Sequence, residues 1–171
     1  MKNIKIITIC FSVLFLNSLM FYGDDAAVYL ARGISKSNTG DELGAVQDFN
    51  KAIELNPSYA DAYFRRGCSK AILKEYQGAI QDFNKVIELD PANAVAYYER
   101  GISKSSLEDY RGAIQDYSKV IALDATNAEA YYWRGFSKIM IYDVNVGCMD
   151  LSKAGELGHP DSYDAIKDLC K

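Results

Sequence analysis

Glycine returns every 34 residues in this chain, at Gly33, Gly67, Gly101 and Gly135. No other feature narrows the fold as much. A fixed period of this length means stacked copies of one small unit that cannot bury its apolar side alone. Other residues keep the same step. Arginine stands just before each glycine (Arg32, Arg66, Arg100, Arg134), and tyrosine stands four before it (Tyr29, Tyr63, Tyr97, Tyr131). Ser35, Ser69, Ser103 and Ser137 recur, as do Lys36, Lys70, Lys104 and Lys138, and in the second half of each unit Asp48, Asp82, Asp116 and Asp150.

The units run 26–59, 60–93, 94–127 and 128–161, and each carries two helical patterns. In the second unit Tyr63, Gly67 and Ala71 fall on one stripe of a first helix, while Ala79, Phe83, Val86 and Ile87 mark a second. The break between them lies near Lys74 and Glu75, and Asn56-Pro57 and Asp90-Pro91 close the first two units where proline stops a helix. A mid-helix glycine costs about 1 kcal/mol relative to alanine. Its return in every unit therefore needs a steric reason. The expected one is close helix approach through small residues such as Ala79, with Phe83 filling the space beside them. The fold class expected is all-α, an α-solenoid of four helix–turn–helix repeats. Residues 162–171 form a capping helix whose Tyr163, Ile166 and Leu169 close the open end, as a solenoid requires for solubility.

These positions resemble the tetratricopeptide repeat family, whose pattern runs aromatic, glycine, alanine, aromatic, small residue and closing proline. Tyr63, Gly67, Ala79, Phe83, Val86 and Pro91 match it in order, as do Tyr29, Gly33, Ala45, Phe49, Ala52 and Pro57. The third unit has Ala125 in place of the proline. The fourth has Gly147 for alanine, Leu151 for the aromatic and His159 at the proline place. The resemblance covers residues 26–161. It implies a solenoid whose first helices line a concave side that holds another protein or peptide.

On those first helices, the place after the repeated tyrosine holds Leu30, Phe64, Tyr98 and Tyr132, and four places further stand Ile34, Cys68, Ile102 and Phe136. Two readings of this apolar stripe stand side by side. It is core between neighbouring helices, or it is a groove for a segment of a partner. Some relatives clamp a partner's C-terminal carboxylate with lysine and asparagine on this stripe. The residues here exclude that clamp. The recurring charges also have two readings, a basic stripe for an acidic partner or an inter-helix ladder. The matching acid in every unit favours the ladder, pairing Arg32 with Asp48, Arg66 with Asp82, Arg100 with Asp116 and Arg134 with Asp150.

The chain has one histidine, His159, set between Gly158 and Pro160 and read as a loop residue. Without a second histidine or a glycine-rich phosphate loop, neither catalysis nor a metal or cofactor is expected. The net charge is −4 with no basic block, so no nucleic-acid partner is expected. Lys2 and Lys5 precede an apolar run from Ile6 to Tyr22, and polar sequence begins at Asp24. That order makes residues 1–23 a secretory signal, with an uncleaved membrane anchor or a buried helix as the alternatives. The protein is then exported, to a periplasm or beyond, and touches membrane only through residues 1–23. In an oxidising compartment Cys148 and Cys170 can form a disulfide that pins the cap, free thiols being the other reading. Cys10 is lost with the signal, and Cys68 reads as a small hydrophobe. The function expected is a protein–protein interaction scaffold. The rival is an assembly component that self-associates through its solenoid ends.

Overall fold

The structure, a computed structural model, describes residues 25–170. The segment read as an export signal, Cys10 included, lies outside them. Nine helices and no strand occur among the described residues. They are α1 (25–38), α2 (Glu42–Leu55), α3 (Ala60–Ile72), α4 (Tyr76–Leu89), α5 (Ala94–Ser106), α6 (Tyr110–Leu123), α7 (Ala128–Met140), α8 (Val144–Glu156) and α9 (Ser162–Leu169). No helix among the described residues is long and apolar enough to cross a membrane.

The second helices α2, α4 and α6 each pack against the first helix of the next unit, while α3 pairs with α4, α5 with α6 and α7 with α8. The first helices α3 and α5 also touch each other, and the face that first helices line is the inner side that the repeat pattern implies. Alanine makes the crossings. Ala62, Ala96 and Ala130 on first helices and Ala45, Ala79 and Ala113 on second helices are fully buried. Phe49, Phe83 and Tyr117 fill the space within each hairpin, each buried ring contributing about 2–3 kcal/mol.

Those rings, rather than helix approach through Ala79, explain the repeated glycine. A Cβ on Gly33, Gly67 or Gly101 would lie 2.5, 2.8 or 2.7 Å from the ring of Phe49, Phe83 or Tyr117. The fourth unit, with Leu151 in the ring's place, is packed backbone to backbone. There a Cβ on Gly135 would meet the Gly147 carbonyl oxygen at 2.8 Å.

The turns repeat as well. The hairpin position held by Gly40, Lys74, Glu108 and Tyr142 has φ of 83, 64, 62 and 67°, a left-handed conformation that only the first unit fills with glycine. Between units, Asn56, Asp90 and Asp124 each accept the backbone N–H two residues on. Asp124 therefore keeps the third junction in shape although Ala125 replaces proline.

The C-terminal cap differs from expectation. Ser162 is the fully buried residue of α9, whereas Tyr163 and Leu169 are exposed. Tyr163 lies over Gly155 on α8 instead of closing the end. A helix this short presents one narrow face, and the turn at Gly158 to Asp161 rotates that face toward Ser162. Cys170, just past α9, is disulfide-bonded to Cys148 on α8.

Candidate binding face

The recurring charges meet between the helices of each hairpin. Nε of Arg32, Arg66, Arg100 and Arg134 donates to Asp48, Asp82, Asp116 and Asp150 at 2.8, 2.9, 2.9 and 2.8 Å, and the guanidinium makes a second bond to the other carboxylate oxygen. Lys36, Lys70, Lys104 and Lys138 close each triad from 2.8–2.9 Å. The carboxylates are buried, so these lysines and arginines are committed to the framework and do not form a free basic stripe. The Arg32 guanidinium holds the Asp48 carboxyl down to about 2; burial opposes this and Lys36 assists it.

Two members of this network were not legible as such. Each guanidinium lies over the repeated tyrosine of its own helix, 4.8 to 5.4 Å from the ring centre, a cation–π contact. Arg66 and Arg100 also donate to Asn50 and Asn84 of the preceding unit at 2.6 Å, and Arg134 reaches Ser118 at 3.3 Å. The signal was present in the asparagine that keeps the 34-residue step at Asn50 and Asn84.

The apolar stripe divides. Leu30 is buried against Ala45, Phe49, Ala52 and Ala62, so it belongs to the core and not to a partner face. Leucine is shorter than the rings at Phe64, Tyr98 and Tyr132, so at this register it lies wholly within the core. Ile34, Phe64, Cys68, Tyr98, Ile102, Tyr132 and Phe136 are half-buried. Phe64 tilts against Phe83 with ring centres 5.8 Å apart, and Tyr98 against Tyr117 at 6.0 Å. Each therefore gives one face to the core and leaves the other to the inner side. Burial pushes the Cys68 thiol up to about 12, so it stays a neutral hydrophobe.

Tyr132 has another partner. His159, read from sequence as a loop residue, is buried and stacks on the Tyr132 ring at 4.0 Å with planes 8° apart. Its Nδ1 accepts the Asp161 N–H at 3.3 Å, and Nε2 lies 3.4 Å from a Glu129 oxygen. The left-handed Gly158 and the following Pro160 fold the chain back and carry the imidazole under the ring.

Crevices open between successive first helices. Ile34, Phe64, Arg65 and Cys68 line a small one of about 80 Å³. The corresponding crevice 68 residues on holds Tyr98, Ile102, Trp133 and Phe136 and measures about 300 Å³. Arg65 and Trp133 were missed because they do not repeat: Ala31, Arg65, Glu99 and Trp133 share one register. That variation inside a constant framework was the available signal. Exposed Val95 links two further openings, one beside Phe64 and one beside Tyr98.

Stacked helical hairpins with this residue pattern have counterparts. Residues 26–59 and 60–93 each match the family described as tetratricopeptide repeat, and residues 106–138 match that described as TPR repeat. This chain belongs to the tetratricopeptide repeat family. Among solved structures, this tetratricopeptide-repeat chain is similar to MamA from Desulfovibrio magneticus RS-1, with a TM-score of 0.75 and 28% identity over 78% of this chain and 75% of that one. It is also similar to the Arabidopsis OM64 TPR domain, with a TM-score of 0.65 and 26% identity over 68% of this chain and 97% of that one. The first TPR domain of Spaghetti (RPAP3), solved with an HSP90 peptide, shares the fold at TM-score 0.62 and 22% identity, over 76% of this chain and 95% of that one. An uncharacterized protein of Methanocaldococcus jannaschii is 51% identical over 37 residues, which is 22% of this chain and 43% of that protein's length.

Proposed function

We propose that this tetratricopeptide-repeat chain is an exported scaffold that holds an apolar, aromatic-bearing segment of another protein along the inner side of its first helices. The observation that carries the reading is the row of half-buried apolar residues there, from Ile34 to Phe136. Phe64, Cys68, Tyr98, Ile102 and Phe136 face crevices that the core does not fill. Rings packed on one face and open on the other offer a rigid surface at little entropic cost, as interface anchors do. The Spaghetti domain of the same fold is occupied by a peptide in its structure. Here the first-helix lysines of the repeat are tied to aspartate, and the inner stripe is apolar. The occupant this favours is a hydrophobic segment, not a carboxylate tail. The only histidine is committed to stacking on Tyr132, so the reading includes no catalysis. Export is supported by the charge and apolar pattern of residues 1–23 and by the Cys148–Cys170 bond.

Selection of displayed random peptides on the full chain tests this. The double variant Ile102→Glu/Phe136→Glu runs beside the wild type once circular dichroism shows it folded. A related set of apolar peptides retained by the wild type and lost by the variant is the expected result; peptides indifferent to the variant would refute the groove.

A second reading has its own observation. Val28 is 62% exposed and Ser35 is exposed, whereas Ala62, Ala96 and Ala130 and Ser69, Ser103 and Ser137 at the same registers are buried. That surface on α1 is the one later units use for stacking, and it suits end-to-end self-association. A molecular mass that rises with concentration in light scattering, and falls back on Val28→Glu, would favour it.

A further inference from the structure

The larger crevice differs from its counterpart in its floor as well as its size. Tyr117 is fully buried, and among the described residues only the adjoining Ser105 hydroxyl lies within hydrogen-bonding reach of its own. The Ser105 hydroxyl is buried too and has no other partner. Both line the crevice. The equivalent positions in the first unit carry no such demand. Phe49 has no hydroxyl, and Ser37 donates to Glu42 at 3.0 Å. The register of Glu42 is occupied by Tyr110 in the third unit, so Ser105 loses that acceptor while Tyr117 gains a hydroxyl. Burial pushes the Tyr117 phenol above its ordinary range, with the Ser105 hydroxyl acting the other way, so both groups are neutral. A buried hydroxyl short of partners is costly, and a ligand atom is one group that can complete it.

We propose that this crevice is a recognition pocket for one tyrosine side chain of the bound partner segment, its ring against Trp133 and Phe136 and its hydroxyl between Tyr117 Oη and Ser105 Oγ. The inference rests on the reading of the inner face as a peptide groove and names the residue that anchors the peptide there. The walls are Tyr98, Ile102, Trp133 and Phe136, which suit a flat ring. The floor needs a group that both donates and accepts. A phenol does both, an indole only donates, and phenylalanine does neither. No charged residue lines the crevice, so a lysine or arginine tip would be buried there without a counter-ion. About 300 Å³ is the lower end of pockets that hold a small ligand, which matches one large side chain.

Trp133 is the chain's only tryptophan, so its fluorescence reports on this wall alone. The experiment titrates the full chain with capped Ala-Ala-Tyr-Ala-Ala and with its phenylalanine, histidine and lysine counterparts, exciting where tyrosine does not absorb. The tyrosine peptide should shift the emission saturably and bind roughly fivefold to tenfold more tightly than the phenylalanine peptide, the worth of one hydrogen bond. In Tyr117→Phe, which restores the residue of the first two units, that preference should vanish while the fold and the phenylalanine affinity persist. Equal affinities, a histidine or lysine peptide binding best, or free phenol binding as tightly as the peptide would each overturn the assignment. Peptides that bind along the inner face without a tyrosine preference would overturn it and leave the groove standing. Failure of every peptide on a folded protein would overturn both.

Discussion

Replacing the ladder arginine one unit at a time should produce unequal losses that follow its burial. Arg100 has a side chain 16% exposed, bonds Asp116 twice, reaches Asn84 in the unit before and covers Tyr97. Arg32 makes the same pair with Asp48 but is 54% exposed. Breaking a buried pair by removing one partner costs about 3–5 kcal/mol. Lys104 still neutralises Asp116 at 2.8 Å in Arg100→Ala, which reduces that to about 2–3 kcal/mol. Arg32→Ala sits in the solvent-screened range of about 1 kcal/mol or less. Urea unfolding followed by circular dichroism reads both, with midpoints compared at constant m-value. A cycle of Arg100→Ala with Asp116→Ala should show a coupling of about 1–3 kcal/mol, because the two changes remove the same bonds. Losses that add within about 0.5 kcal/mol, or an Arg32→Ala loss as large as that of Arg100→Ala, would refute the reasoning.

Tyr117→Phe should stabilise the free protein by about 1 kcal/mol, and Phe83→Tyr should cost at least that, because Ala71 offers its new hydroxyl nothing; thermal melts with the opposite signs would show that Tyr117 is already satisfied. Tyr142→Gly should raise stability by up to about 1 kcal/mol, since Tyr142 is exposed and left-handed, and a loss on denaturation would mean the ring makes a contact that outweighs its strain. Reduction of the Cys148–Cys170 bond, which spans 22 residues, should cost about 3 kcal/mol and loosen the last hairpin first, seen as amide exchange in α8 and α9; uniform exchange would count against it. On acidification, the contribution of Asp48, whose folded pKa is lowered, should be complete above its ordinary value near 3.8 and be lost as pH falls through about 2. An Asp48→Asn variant that loses stability at neutral pH but matches the wild type near pH 2 is the expected result.

Much of this protein was legible in its amino-acid order because repetition converts chemistry into periodicity. A glycine under a ring, an arginine facing an aspartate and a turn closed by Asn56 or Asp90 each impose a residue type at a fixed step, so the framework is written three or four times over. Only the tertiary structure decided what happens where the repeat lapses. Leu30 shares the stripe of Phe64 and Tyr98, yet it is core, because a leucine side chain is short enough to lie wholly among Ala45, Phe49, Ala52 and Ala62. His159 looks like a turn residue, yet it is buried under Tyr132, because its placement depends on how the chain folds back after α8. Trp133, Ser105 and Tyr117 have no common sequence signature. They converge only when α5, α6 and α7 are stacked, since contacts across three helices depend on crossing geometry and not on spacing along any one of them.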